Sequence, residues 1–291
     1  MNTLDFESSD LGSTPEMANY TTLEIVQENP NSAVFYLYLN RPNHRNALSR
    51  DFFTEFPRAL SSLDQNPDVN VIVLSGAGNH FCAGIDLKTL TSISDQFVSG
   101  DRGRAGEKFR REIKELQEAI TAIERCRKPV VASIHGACIG GGVDIVTACD
   151  IRYCSKDAFF SVKEVDLAIT ADLGTLQRLP SIVGYGNALE LALTGRTFWS
   201  SEAKELGLVS RVFGSREELD NGVRVVAEGI GLKSPLAVRG TKAVLQRSRE
   251  LNVEQGLDYV ATWNSAMLLS DDLSEAVSAY AQKREPIFAK L

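Results

Sequence analysis

No two cysteines in this chain form a C-x-x-C pair, and no histidine stands at zinc-ligand spacing. The usual signatures of a structural zinc site and of a dithiol redox centre are therefore missing. The cysteines number five, Cys82, Cys126, Cys138, Cys149 and Cys154. An odd, scattered set of this kind fits reduced intracellular thiols better than a disulfide framework. Histidine is scarcer still, with His44, His80 and His135 only. His135 and Cys138 lie three apart beside a glycine turn and read as packing neighbours rather than as a nucleophile pair. No apolar run approaches the ~20 residues that a membrane span needs. Basic charge does not predominate either: 31 Lys and Arg stand against 38 Asp and Glu, a net charge of −7. That balance argues against non-specific binding to nucleic acid or to an anionic membrane. No glycine run continues into G-K-[ST], and no G-x-G-x-x-G opens the first βα unit, so neither a Walker loop nor a dinucleotide fingerprint is present.

What remains is a chain of 291 residues, 43% hydrophobic and 24% charged, long enough to bury a sizeable core. Residues 1–19 are acidic and rich in Ser and Thr, and are expected to be a disordered leader without the basic and apolar regions of a secretory signal. Residues 20–215 alternate strand and helix signals, which predicts α/β layering. "TTLEIVQ" and "SAVFYLYLN" flank the turn signal "ENPNS" and predict a hairpin. Leu48, Phe52, Phe56, Leu60 and Leu63 step by three or four and predict an amphipathic helix capped by Ser49 or Asp51. "VNVIVLSG" and "VVASIHG" read as buried strands, "GVDIVTACD" as a short helix, and "IRYCS" and "AFFSV" as short strands. The polar stretch from Thr91 is expected to be mobile until a helix begins near Ala105. From about residue 216 only helical signals remain, and residues 216–291 are expected to be a helical lid or assembly region. The chain closes on Ala289-Lys290-Leu291, a small-basic-Leu ending close to the S-K-L peroxisomal address.

Two junctions share one plan. "VIVLSGAGNHFCAGIDL" and "VVASIHGACIGGGVDI" each run from a buried strand through small residues into a helix start with an Asp. Unpaired N–H groups at such turns suit an oxygen that gains negative charge, one donor from each junction. The same glycines equally suit tight helix–strand packing. Three carboxylates follow within a short span: Asp144, Glu164 and Asp172. Apolar neighbours imply partial burial and pKa values raised toward neutrality, as proton transfer requires. Each also has an ordinary reading, with Asp172 capping the next segment and Glu164 facing solvent from an edge strand.

"HFCAGIDL" followed by "HGACIGGGVDIVTACDIRYCSKDAFFSVKEVDL" resembles the enoyl-CoA hydratase/isomerase, or crotonase, superfamily over roughly residues 20–291. Within it, "GGGVD", "VKEVDL" and "ADLGTLQRLP" resemble the dienoyl-CoA isomerases. The resemblance implies a crotonase-like α/β spiral of ββα turns with a C-terminal helical oligomerisation region, assembled as trimers that pair into a hexamer. It implies conversion of 3,5-dienoyl-CoA to 2,4-dienoyl-CoA in fatty-acid β-oxidation, with no metal or other cofactor, coenzyme A being part of the substrate; the peroxisome and its import receptor are expected from Ala289-Lys290-Leu291. The N–H groups of Ala83 and Gly141 would form the oxyanion hole, and Ala83, Gly84, Ile85, Asp86, Leu87 and Gly141 would line the substrate pocket. Glu164 would serve C2 and Asp172 C6, with Asp144 a third carboxylate in the pocket. Arg41, Arg45 and Lys88 are candidates for phosphate contact without an assigned role. Hydratases of the superfamily carry Glu at the positions of Asp144 and Glu164 and Gly at that of Asp172; isomerases that move one double bond rely on the Glu164 position alone. A non-catalytic acyl-CoA- or RNA-binding homologue is the alternative from another class. Three retained carboxylates and the acidic balance count against it.

Overall fold

A computed structural model describes residues 19–95 and 101–291. The leader expected over residues 1–19 lies, but for Asn19, outside them. The chain opens with the expected hairpin, β1 (Leu23–Val26) and β2 (Val34–Leu39), then α1 (Arg50–Gln65) and β3 (Val71–Gly76). Phe52, Phe56, Leu60 and Leu63 of α1 are all buried, and the Phe52 and Phe56 rings stack at 4.8 Å. Each such ring removed from water contributes roughly 1.5–3 kcal/mol. After α2 (Leu87–Asp95), a single helix α3 (Arg102–Arg125) leads into β4 (Val130–Ile134).

Then come β5 (Ala137–Ile139), α4 (Gly141–Ala148), β6 (Ile151–Ser155) and β7 (Phe159–Ser161). A 3₁₀ turn (Glu164–Leu167) leads to α5 (Thr175–Val183), α6 (Tyr185–Thr194), β8 (Phe198–Trp199), α7 (Ser200–Glu205) and β9 (Arg211–Phe213). The rest is helical: α8 (Arg216–Gly231), α9 (Pro235–Ser248), α10 (Val253–Met267) and α11 (Asp271–Gln282). Ser234 caps α9, and Asn252 with Gln255 forms a capping box at α10.

From β4 to β7 the strands alternate between two sheets, which makes this part of the chain a spiral. One sheet has the order β1-β2-β3-β4-β6-β9, antiparallel only at β1–β2; the other is β5-β7-β8. Each turn thus lays one strand in each sheet, β4 then β5, β6 then β7. The centres of β3 and β4 are buried on both faces, as parallel strands covered on both sides must be; all their residues are buried.

Two differences from expectation have physical causes. The stretch from Thr91 belongs to α2 as far as Asp95, and helix resumes at Arg102 under an Asp101 cap that accepts from the Arg104 N–H. Residues 96–100 lie outside the described set. The charged character of 102–115 reflects a solvated face of α3, whose other face buries Leu116, Ala119, Ile120 and Ile123.

Helix α8 covers the larger sheet with Leu219, Val223 and Ala227. The next helix is anchored by buried Lys242, which ion-pairs with Asp150 at 2.7 Å and donates to the Lys128 carbonyl at 2.9 Å. Helices α10 and α11 leave Leu257, Val277 and Tyr280 exposed, as does the turn between them with Leu269. At the chain's end Lys290 pairs with Asp68, and the Leu291 carbonyl accepts from Arg239. All five thiols are free and buried. Among the described residues no helix is long and apolar enough to cross a membrane.

Candidate active site

The two glycine junctions are bonded side by side. Phe81 and Cys82 N–H groups donate to His135 and Ala137 carbonyls, and the Ile139 N–H returns to the Cys82 carbonyl. This ladder brings the turn after β3 against the start of α4. Gly140 adopts φ 52°, ψ −117°, and Gly84 φ 94°, conformations open to glycine.

The expected donor pair needs one correction. The Ala83 N–H is bonded to the Arg45 carbonyl at 2.9 Å, so it does not face a ligand. Leu48 pairs alongside Ile85, taking the Gly84 carbonyl and the Asp86 N–H. The Ile85 N–H, between them, therefore points to the other side and has no acceptor among the described residues. Gly141, at the first position of α4, is likewise unpaired. A Cβ on Gly141 would lie 3.8 Å from the Ile85 nitrogen. Two free donors thus stand together at the positive end of a helix, and they belong to Ile85 and Gly141.

A cavity of about 240 Å³ opens in front of them, lined by Ala83, Gly84, Ile85, Leu87, Gly141 and all three carboxylates. Asp86 is not in this lining; it pairs with Arg41 at 3.1 Å and is half-buried. Arg41 is accordingly engaged in holding the junction, since it also donates to the Ala47 carbonyl.

Asp144 is 1% exposed. Its Oδ1 accepts from the Thr175 N–H at 2.6 Å, and burial pushes its pKa up to about 6. Glu164 opens the 3₁₀ turn after β7 and faces the cavity, not solvent from an edge strand. Burial, and then the neighbouring Asp144 charge, push its pKa up to about 7. Its buried Oε2 has no hydrogen-bond partner among the described residues, and Oε1 lies 3.3 Å from where a Cβ on Gly140 would be. Asp172 precedes α5, and burial raises its pKa too. It does not cap that helix; Gly174 holds the cap position. A carboxyl pair with raised pKa values, facing two unpaired N–H groups, is equipped to move a proton next to a developing oxyanion.

Three further contributions come from residues that no sequence motif marks. Phe109, Ile113 and Leu116 of α3 form the apolar wall opposite the junctions. Gln117, from the same helix, donates to the Asp172 carbonyl at 2.7 Å, and Arg178 donates to the Leu173 carbonyl at 3.3 Å. The only available signal was the α3 stripe of apolar residues, which marks a buried face without saying what it faces.

Residues 29–290 match the enoyl-CoA hydratase/isomerase family. The chain is 75% identical over 276 residues to the peroxisomal delta(3,5)-delta(2,4)-dienoyl-CoA isomerase of Arabidopsis thaliana, covering 94% of this chain and 99% of that one. It is 44% identical to the mitochondrial delta(3,5)-delta(2,4)-dienoyl-CoA isomerase of Homo sapiens, covering 94% and 83%. Among solved structures, an enoyl-CoA hydratase from Bacillus anthracis superposes with a TM-score of 0.83 at 29% identity, covering 92% of this chain and 99% of that one. Fold, junctions and sequence agree, and the chain belongs to the enoyl-CoA hydratase/isomerase family.

Proposed function

We infer that this chain is an enzyme of fatty-acid β-oxidation that isomerises 3,5-dienoyl-CoA to 2,4-dienoyl-CoA in the peroxisome. The observation that carries this reading is the meeting of Glu164, Asp172 and Asp144 in one cavity with the unpaired N–H groups of Ile85 and Gly141. The activity and the compartment are those in the name of the 75% identical relative.

The thioester oxygen is held by Ile85 and Gly141 N–H groups, each such donor worth about 3–4 kcal/mol of the barrier. Glu164 removes a proton from C2, and the electron pair spreads over C2, C4 and C6 with the thioester oxygen. Asp172 delivers a proton to C6, leaving double bonds at C2 and C4. One proton passes from Asp172 to the product and one from the substrate to Glu164, and exchange with solvent restores the resting form. The placing of Glu164 at C2 is supported by its nearness to Gly140, the residue before the Gly141 donor, where a Cβ would stand 3.3 Å from Glu164 Oε1. A proton shuttle of this kind calls for no metal or redox cofactor; coenzyme A arrives with the substrate. Exposed apolar residues on α10 and α11 support an assembly surface, and trimers pairing into a hexamer are the assembly we propose.

The reading is tested by absorbance with two substrates. 3,5-Dienoyl-CoA should be converted to the conjugated 2,4-dienoyl thioester faster than 2-enoyl-CoA is hydrated; the reverse order would make the chain a hydratase.

Asp144 is the tuning charge in this scheme. Glu164 must be ionised to accept the C2 proton, so kcat/KM should fall as pH drops through about 7. Asp144→Asn keeps an acceptor for the Thr175 N–H but removes the charge that raises Glu164. The acid limb of the profile should therefore move to lower pH. An unmoved limb in that variant would detach Asp144 from Glu164.

A further inference from the structure

We propose that Gln117 and Arg178 are positioning residues that set the place of the Asp172 carboxylate by gripping the backbone around it. The proposal rests on the reading of Asp172 as a proton-transferring group. Asp172 stands in a connection without regular structure, between the 3₁₀ turn and α5. Among the described residues no other side chain holds its carboxylate, so its place is set by its own main chain.

That main chain is fixed at four consecutive residues. The Asp172 carbonyl accepts from Gln117 Nε2 at 2.7 Å, and the Leu173 carbonyl from Arg178 Nη1 at 3.3 Å. Gly174 has φ 127°, and a Cβ there would lie 1.7 Å from Arg178 Nη1, so the guanidinium occupies the space that a side chain would need. The Thr175 N–H is tied to Asp144 Oδ1 at 2.6 Å. The two gripping side chains are themselves braced. Arg178 Nε and Nη2 donate to Glu124 Oε2 at 2.8 and 2.6 Å, and Nη2 also reaches Thr121 Oγ1 at 3.1 Å. Glu124 Oε1 accepts from Arg249 at the end of α9, at 2.9 Å. Gln117, Thr121 and Glu124 lie at i, i+4 and i+7, one face of α3. This face of α3 thus carries a polar bracket whose load is the Asp172–Thr175 segment.

A carboxylate that must meet C6 within hydrogen-bonding reach loses rate steeply with small displacements. Gln117→Leu removes one hydrogen bond and keeps the side chain's bulk. It should lower kcat about tenfold or more, with KM within about twofold because the thioester and its donors are untouched. Arg178→Met should do the same, and Arg178→Lys should recover part of the loss. The deciding measurement is the combination with Asp172→Asn. If Gln117 acts through Asp172, Gln117→Leu should cost nothing further once that carboxylate is gone. An equal loss in both backgrounds would mean a general structural role and overturn the proposal. Should Arg178→Met fail to fold, the Gln117→Leu pair still decides. The two readings fail separately. Normal turnover by Asp172→Asn alone would remove Asp172 from the chemistry. A slow Asp172→Asn beside a normal Gln117→Leu would defeat the bracket only.

Discussion

Asp172→Asn should lower the turnover of 3,5-dienoyl-CoA by at least ~100-fold, the usual scale of general acid–base assistance. The substitution is nearly isosteric, and the bonds that fix this segment run to backbone atoms, the Asp172 carbonyl among them. The fold should therefore persist, and the variant's thermal midpoint should stay near that of the parent. What disappears is the proton that C6 receives. Glu164 and the two N–H donors remain, so C2 deprotonation is left in place. Hydrogen exchange at C2 of the substrate in deuterated water should then outlast isomerisation. Near-normal appearance of the conjugated product would defeat the role given to Asp172.

Gly140→Ala should be comparably severe for a different reason. At φ 52°, ψ −117°, an alanine is strained, at a cost of about 1–3 kcal/mol in stability. Its Cβ would also stand 3.3 Å from Glu164 Oε1 and 3.8 Å from the Gly84 Cα. The chain has two ways to relieve this, shifting Glu164 or rotating the peptide that carries the Gly141 N–H. Either one spoils an element of the site, and loss of one oxyanion donor alone costs ~10²–10³ in kcat. Denaturant melts and steady-state rates on the same preparation separate the two effects. A variant that is less stable but fully active would reduce Gly140 to a packing residue.

The sequence was most legible where the signal is local. The step of apolar residues from Phe52 to Leu63 gave α1, and the unbroken runs at Val71 and Val130 gave the central parallel strands. The glycine junctions and the three carboxylates could be picked out because small residues and buried acids are costly unless something uses them. Identity of the donors was less accessible. Whether Ala83 or Ile85 offers a free N–H depends on Arg45 and Leu48, which come alongside from some 35–40 residues upstream, and on the turn at Gly84. No pattern within "HFCAGIDL" encodes that choice. The bracket around Asp172 was illegible for the same reason: Gln117 lies 55 residues from the carbonyl that it holds, and only the spiral brings them together. Helix α3 begins at Arg102, ahead of the start expected near Ala105, because a solvated helical face and a mobile segment share a polar composition.

The burial of every thiol gives the molecule an internal clock. Burial pushes the Cys82 and Cys138 thiols up, so neither the thiolate nor access to it is available while the protein is closed. Alkylation must wait for an opening event, and its rate reports the free energy of that opening. Cys82 and Cys138 lie across from each other in the ladder that joins the two glycine junctions, whereas Cys126 sits where α3 ends. Residue-resolved labelling at low denaturant would therefore time the unzipping of the oxyanion ladder separately from the release of α3.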